Sequence, residues 1–444
     1  MAEPHRIVIL GGGFGGLVAA QTLKHAEAQI TLIDQRNFHL FQPLLYQVAT
    51  GSLSPGEIAS PIRSVLRRQK NTEVLLGQAC DLDPDAKTVT LLDGGVFPYD
   101  SLIIATGSET SYYGKEQWRE DAPSLKTIEE ATAIRHKLLY AFERAERSET
   151  EEEARKWLTF VIVGGGATGI ELAGALAEIA RETLCSDFRR IRPEEARIIV
   201  LEGGPRLLPG YPEDLSRKAQ QLVSKLGVEI RVNAFVNKID SGGLTYKHDD
   251  ADVTLSAKTI LWSGGVKTTP FGERVAQRTS AEIDKAGKIK VLPDLTVPNY
   301  ADIFVVGDLA CVIGAEGKPL PGVAQPAIQE GRYAAKVILA RLNNEMRPVP
   351  FHYFDKGDLA VIGRAAAVAN IFGVHISGVF AWVIWLFVHL MYLVQFQSRV
   401  QVFVQWGFEY LTFSRGARLI TGPAVETSLG KIEAAVKARR QTAD

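Results

Sequence analysis

Two glycine-rich turns of one design carry the residues best suited to chemistry: Gly11-Gly12-Gly13-Phe14-Gly15-Gly16 and Gly164-Gly165-Gly166-Ala167-Thr168-Gly169. Glycines at this spacing let backbone N–H groups and a helix N-terminus close around a pyrophosphate, provided that a strand precedes the turn and a helix follows it. An apolar run precedes each turn (residues 6–10 and 160–163), and a helical pattern follows. After the first turn the chain returns through Ile30-Thr31-Leu32-Ile33 to Asp34, a carboxylate placed for a ribose diol. A glycine turn can also serve only to pack helix on strand; the ordered set of strand, glycines, helix, strand and acid is what points to a nucleotide. The chain is expected to hold two dinucleotides, with Gly11, Gly13, Phe14, Gly16 and Asp34 at the first site and Gly164, Gly166 and Gly169 at the second.

The elements that position these turns are those of an α/β fold, strands alternating with helical stretches. At 444 residues and 46% hydrophobic content the chain can build two or three packed domains, and a net charge of −1 gives no reason to expect nucleic acid. Cys80, Cys185 and Cys311 are far apart, so neither a disulfide framework nor a zinc site is expected, and a reducing compartment fits. His39 and His389 have no second ligand at metal spacing, and no metal is expected. No signal peptide precedes the first strand. Residues 128–155 read as a charged helical stretch whose acidic run, 149–153, is a solvated helix end. The second return strand, residues 197–201, ends in Glu202, which is 33 positions past Gly169 where about 20 is usual, so the intervening helix is expected to extend through Cys185 toward Arg197.

Further on, residues 296–308 read as a turn, a buried strand and Gly307-Asp308 at its carboxyl end, where open α/β sheets bind ligands. This segment resembles the late flavin-binding motif of two-dinucleotide flavoproteins, and Ala105-Thr106-Gly107 resembles their middle motif. The resemblance implies that FAD, held non-covalently, takes the first site together with Thr106, Gly107, Gly307 and Asp308, and that a nicotinamide takes the second. Alone, Gly307-Asp308 could also be an ordinary helix N-cap. Glu202 favours NADH over NADPH, because a carboxylate accepts from a 2′-hydroxyl and repels a 2′-phosphate, although Arg206 stands close by.

Electrons must leave such a flavin without a redox-active cysteine pair, since neither C-x-x-C nor C-x-x-x-x-C occurs. Residues 376–394 are apolar throughout, apart from His389 if it is protonated, and as one helix would reach about 28 Å, close to the thickness of a hydrocarbon core. Residues 395–420 mix Phe, Val and Trp with Arg399, Arg415 and Arg418, as in a helix lying in an interface; Phe413 belongs to the same set. Residues 399–444 carry seven Lys/Arg against four Asp/Glu, a balance that suits an anionic leaflet. A buried domain or dimer interface would show similar residues.

An apolar end on a flavoprotein suits a lipid-soluble quinone as acceptor. From residue 6 to about 420 the chain resembles the type II NADH dehydrogenases, single-subunit, non-proton-pumping NADH:quinone oxidoreductases. Four motifs carry the likeness: Phe41-Gln42-Pro43-Leu44-Leu45-Tyr46-Gln47-Val48-Ala49; Gly166-Ala167-Thr168-Gly169-Ile170-Glu171-Leu172-Ala173-Gly174; Ala324-Gln325-Pro326-Ala327-Ile328-Gln329; and residues 353–364, from Tyr353 to Arg364. The third, A-Q-x-A-x-Q, is the most specific. The stretch Gln395-Phe396-Gln397-Ser398-Arg399 departs from the family's commoner G-F-R-N-R.

The resemblance implies two Rossmann-like domains, an FAD domain (1–120 and 286–350) interrupted by an NADH domain (156–285), followed by a C-terminal membrane-anchoring and dimerisation region (351–444). It favours helices that lie on the membrane over one that crosses it, a homodimer, and residence on the cytoplasmic face of the inner membrane. It implies a quinone pocket of Tyr46, Gln47, Ala324, Gln325, Ala327 and Gln329, with Glu171 influencing quinone reduction or proton delivery and Lys356 supplying positive charge. Each has a plainer alternative: Glu171 also offsets a helix dipole, Gln325 and Gln329 also suit helix capping, and an Asp355-Lys356 pair also suits a surface turn. Two rival readings stay open, a sulfide:quinone reductase that uses Cys185 and Cys311, and an NAD-binding flavoprotein acting in redox signalling.

Overall fold

The computed structural model describes residues 3–315, 317–346, 348–412 and 415–421. The chain forms two compact units, one from residues up to Phe41 with Ala59–Ser111 and Gly265–Lys356, the other from Gln42–Ile58, Tyr112–Gly264 and the chain from Gly357 on.

In the first unit, short β-branched runs pair into a six-stranded sheet in the order Thr296–Val297, Tyr300–Val305, Ser101–Ile104, His5–Leu10, Ala28–Asp34, Thr72–Leu76. All neighbours are parallel except the first pair. Register does the positioning: Leu10 lies opposite both Ile33 and Ile104, and Ile104 opposite Val305. The first glycine turn, Asp34, Thr106-Gly107 and Gly307-Asp308 therefore all leave the sheet at one edge, the carboxyl edge where ligands of such sheets bind. The helices Phe14–Thr22 and Ala324–Leu342 belong to this unit, and at Gly331 a Cβ would overlap the Gly15 carbonyl, so only glycine allows this approach.

The second unit repeats the plan in a four-stranded parallel sheet, Glu229–Arg231, Arg197–Leu201, Thr159–Val163, Thr259–Trp262. Val163 pairs with Leu201 and Trp262, which brings Gly164 and Glu202 to one edge. The long spacing before Glu202 is not taken up by a longer helix. Helix Ala167–Glu178 runs into a single π-helical turn, Ile179–Thr183, and the remaining residues form a loop with a short turn that Pro193 opens at Pro193–Glu195. The charged stretch at 128–155 is also two helices. Thr127 and Glu130 form a capping box for Ile128–Glu146, and the Thr150 side chain caps a fresh start at Glu151–Trp157.

A three-stranded meander, Asp358–Gly363, Ala366–Ile371 and Val374–Gly378, leads into helices Val379–Tyr392 and Phe396–Thr412. Residues 376–394 are therefore not one helix: they begin inside a strand, and Gly378 (φ 81°) turns the chain into a helix of 14 residues, about 21 Å long. Among the described residues no helix is long and apolar enough to cross a membrane. His389 adds no charge, because burial lowers its pKa to about 4. The basic residues expected at 431–440 lie outside the described residues.

Strand Asp358–Gly363 packs directly on helix Ala167–Glu178. A Cβ at Gly174 would overlap the Ile362 carbonyl oxygen, a rigid backbone atom. Gly174→Ala is expected to destabilise the second unit by about 3 kcal/mol, seen as a lower chemical-denaturation midpoint.

Candidate functional site

The first unit's edge is a cradle. Gly11 (φ 100°) places its Cα against the Ala105 carbonyl, and Gly13 and Gly107 face open space where a side chain would otherwise stand. Asp34 accepts from the Gly12 amide (2.5 Å) and the Arg36 amide (2.7 Å). Burial raises its pKa, and the two amides act against that rise. Phe14 opens the helix and meets His39 edge-on at 5.0 Å. Asp308 accepts from the Ser108 hydroxyl at 2.7 Å. Among the buried polar atoms of this unit, Thr106 Oγ1, His39 Nε2 and Gln325 Oε1 have no protein hydrogen-bond partner. Unpaired buried polar atoms are costly, and a dinucleotide with a polar ring system supplies partners of that kind, so the residues fit FAD.

Glu330 was not singled out from the sequence, although it directly follows the A-Q-x-A-x-Q motif. It is 2% exposed and accepts from the Gly307 amide at 2.6 Å, holding the turn that presents Asp308. Burial pushes its pKa up to about 7. The motif's first turn lies close by: a Cβ on Gly15 would touch the Ala327 carbonyl, and one on Gly307 the Ala327 methyl. Gln329 is held in place by the backbone. Both ends of its amide are bonded to the Phe354 backbone, at 2.9 Å each. Lys356 is exposed at the end of this unit.

The second unit's turn copies the first. Glu202 accepts from the Gly165 and Gly204 amides, each at 2.6 Å, as Asp34 does from Gly12. Arg206 donates to the Tyr211 and Pro209 carbonyls, both at 2.8 Å, so its guanidinium is already engaged. Glu202→Gln is accordingly expected to lower the kcat/KM preference for NADH over NADPH by about tenfold, measured with both cofactors on one preparation.

This unit also contains a cavity of about 240 Å³. Tyr46 and Gln47, on the short helix Leu45–Ala49, line it together with Glu171, Trp385 and Trp406. Glu171 accepts from the Val361 amide, and burial raises its pKa to about 8, so it is mostly protonated at neutral pH. At one wall Glu178 takes the Arg364 amide (2.5 Å) and the Arg415 guanidinium (2.8 Å); Arg415 is 8% exposed and also reaches the Thr50 carbonyl (3.3 Å). The neighbouring chain is anchored by Ala417 on the Gly51 carbonyl and Arg418 on Asp187. Ala324, Gln325, Ala327 and Gln329 belong to the first unit, Tyr46, Gln47 and Glu171 to the second.

Residues 5–331 match the family model for pyridine nucleotide-disulphide oxidoreductases, and residues 356–415 match the NDH2 C-terminal domain. The type II NADH:quinone oxidoreductase Ndh of Mycobacterium tuberculosis is 45% identical over 94% of this chain and 90% of its own length. The chain belongs to the type II NADH:quinone oxidoreductases. A type II NADH:quinone oxidoreductase of Staphylococcus haemolyticus is 30% identical over 84% of the chain and 91% of that relative. In fold, the NDH2 of Plasmodium falciparum solved with NADH superposes with a TM-score of 0.84 at 21% identity, covering 95% of this chain and all of that one. The sulfide:quinone oxidoreductase of Aquifex aeolicus shares the fold more loosely, with a TM-score of 0.72 at 20% identity over 89% of this chain and 91% of that one. All three cysteines are unbonded thiols, and Cys311 sits in a buried strand where its pKa is raised by burial. Among the described residues no group of His, Cys, Asp or Glu is arranged to hold a metal.

Proposed function

We propose that this type II NADH:quinone oxidoreductase holds FAD in the first unit and NADH in the second, and reduces a membrane quinone in the cavity lined by Tyr46, Gln47 and Glu171. The observation that carries the reading is that cavity: an apolar chamber with tryptophan walls, large enough for a quinone ring, that contains a carboxyl protonated at neutral pH. Bound FAD supplies the two-electron chemistry, accepting a hydride equivalent and releasing electrons to the quinone. The chain's residues bind and position. Asp34 and Glu202 offer carboxylate oxygens to ribose hydroxyls, while Gly13, Gly107 and Gly166 leave room for phosphates. Glu171 keeps a proton within the cavity where the quinone gains charge.

The helices Val379–Tyr392 and Phe396–Thr412 favour lying on a bilayer. Each turns a tryptophan inward, Trp385 and Trp406, and phenylalanines outward. Phe380, Phe387, Phe396, Phe403, Phe408 and Leu411 are all more than half exposed, an apolar face that water disfavours and a lipid surface accepts. We place the protein on the cytoplasmic face of the inner membrane, where a supply of NADH would reach the second unit. The C-terminal region is also proposed to form a homodimer.

Steady-state oxidation of NADH with a short-chain quinone, compared with oxygen alone, tests the activity. Fast turnover that requires quinone supports it; NADH oxidation indifferent to quinone overturns it. Sedimentation with anionic and neutral vesicles tests membrane binding, and light scattering tests the dimer.

A further inference from the structure

The cavity is bordered by a short hydrogen-bonded chain with a definite direction. The Trp406 indole N–H donates to Gln47 Oε1 at 2.7 Å, and Gln47 Nε2 donates to the Tyr46 hydroxyl oxygen at 2.8 Å. Tyr46, Gln47 and Trp406 are 6%, 8% and 8% exposed. An indole N–H can only donate. The Gln47 amide must therefore turn its oxygen to Trp406 and its NH₂ to Tyr46. A phenol oxygen that accepts from Gln47 keeps its own proton for another acceptor, and Tyr46 faces the cavity.

We infer that Trp406 is a positioning residue of the quinone site: through the Gln47 amide it holds the Tyr46 hydroxyl as a hydrogen-bond donor into the cavity, toward a quinone carbonyl. The inference rests on the reading of this cavity as the quinone pocket. Burial pushes the Tyr46 phenol well above its ordinary range, so the donor keeps its proton at working pH. Trp406 stands on the apolar helix Phe396–Thr412, 359 positions along the chain from Gln47. The helix with the lipid-facing residues thus also sets the polarity of a hydroxyl inside the cavity.

Trp406→Phe keeps a ring against Trp385, whose centroid lies 5.5 Å away, and removes the N–H. The freed amide can then flip and take the Tyr46 proton on its own oxygen. Gln47→Glu goes further, since a carboxylate accepts from both neighbours and turns the Tyr46 proton away from the cavity.

The experiment is a cycle of Trp406→Phe, Tyr46→Phe and the double variant, with Gln47→Glu alongside in case Trp406→Phe folds poorly. Two quantities are read: kcat/KM for a short-chain benzoquinone, and calorimetric binding of that quinone to the NADH-free protein. Trp406→Phe is expected to lose roughly tenfold in both, and Gln47→Glu more. The double variant should lose no more than Tyr46→Phe, because Trp406 acts through the hydroxyl. Additive losses, or a folded Trp406→Phe or Gln47→Glu protein that binds quinone like the unsubstituted one, overturn the inference alone. If the unsubstituted protein shows no quinone-dependent turnover, the reading of the cavity fails and the inference with it.

Discussion

Glu171→Gln is expected to make the protein more stable above pH 7 and to lower quinone turnover by about a hundredfold. Burial raises this carboxyl from the ordinary 4.5 to about 8 in the folded chain. Below pH 4.5 both folded and unfolded forms are protonated, and the group is neutral toward stability. Between 4.5 and about 8 the unfolded chain gives up the proton while the folded chain keeps it, so stability falls as pH rises through that window and stays low above it. Glutamine still accepts from the Val361 amide but never ionises, and removes this penalty, worth about 2 kcal/mol after allowance for the group's partial exposure. Activity runs the other way. With the protonated carboxyl as the acid of the proposed quinone site, turnover should fall as pH rises through about 8, and the variant should lack that limb. Melting curves and pH–rate profiles on both proteins decide it. A variant with unchanged turnover and the same alkaline limb would sink the acid role.

Arg415→Met is expected to destabilise the protein by about 2 kcal/mol, less than for a fully buried pair because Glu178 is partly exposed. The methionine keeps the buried stem but leaves Glu178 without the cation bonded to it at 2.8 Å, in a wall that also holds the Arg364 amide. A half-buried carboxylate left without its cation, together with the lost attraction, causes the damage. Adding Glu178→Gln should therefore restore most of the loss, since the amide oxygen still accepts from Arg364 and no charge remains. Denaturation midpoints of the two single variants and the double variant measure the coupling. If the double variant is no more stable than Arg415→Met, the charge account is wrong. The same change removes a cation that lowers the pKa of Glu409, now about 7, so Glu409 should titrate higher.

The glycine turns, Asp34 and the Gly307-Asp308 turn were legible because each depends on a local order of strand, turn and helix that a few neighbouring residues dictate. Glu202 was legible despite its spacing, because the strand before it, not its distance from Gly169, delivers it to the Gly165 amide. Where function depends on a distant partner, sequence order was a poor guide. Gln329 reads as a ligand donor in sequence, and the contact it also makes, both ends of its amide on the Phe354 backbone 25 residues away, is not readable there. The apolar run at 376–394 looked like one long helix because composition does not reveal the positive φ at Gly378. Trp385, Trp406 and Arg415 could be read as aromatic and basic character near the C-terminus, but not as walls of a cavity that is closed by a helix near residue 46.

The interleaved order of segments bears on how the chain can be made. Strand Ser101–Ile104, whose four residues are all buried, has its outer neighbour Tyr300–Val305 far downstream. A ribosome needs roughly 10–40 s to cover that interval at ~5–20 residues per second. Throughout that time the nascent first sheet carries an unpaired, apolar edge, the kind that recruits other chains. The stretch Tyr112–Gly264 emerges meanwhile and can form its parallel sheet, yet its meander and cavity helices arrive later still, after Gly357. The second unit is therefore not a product that early termination could release intact, and the first is complete only once its last segment, ending at Lys356, has been made. A chain stopped before residue 300 leaves both units unfinished, one without its C-terminal meander and helices and the other without the outer strand of its sheet.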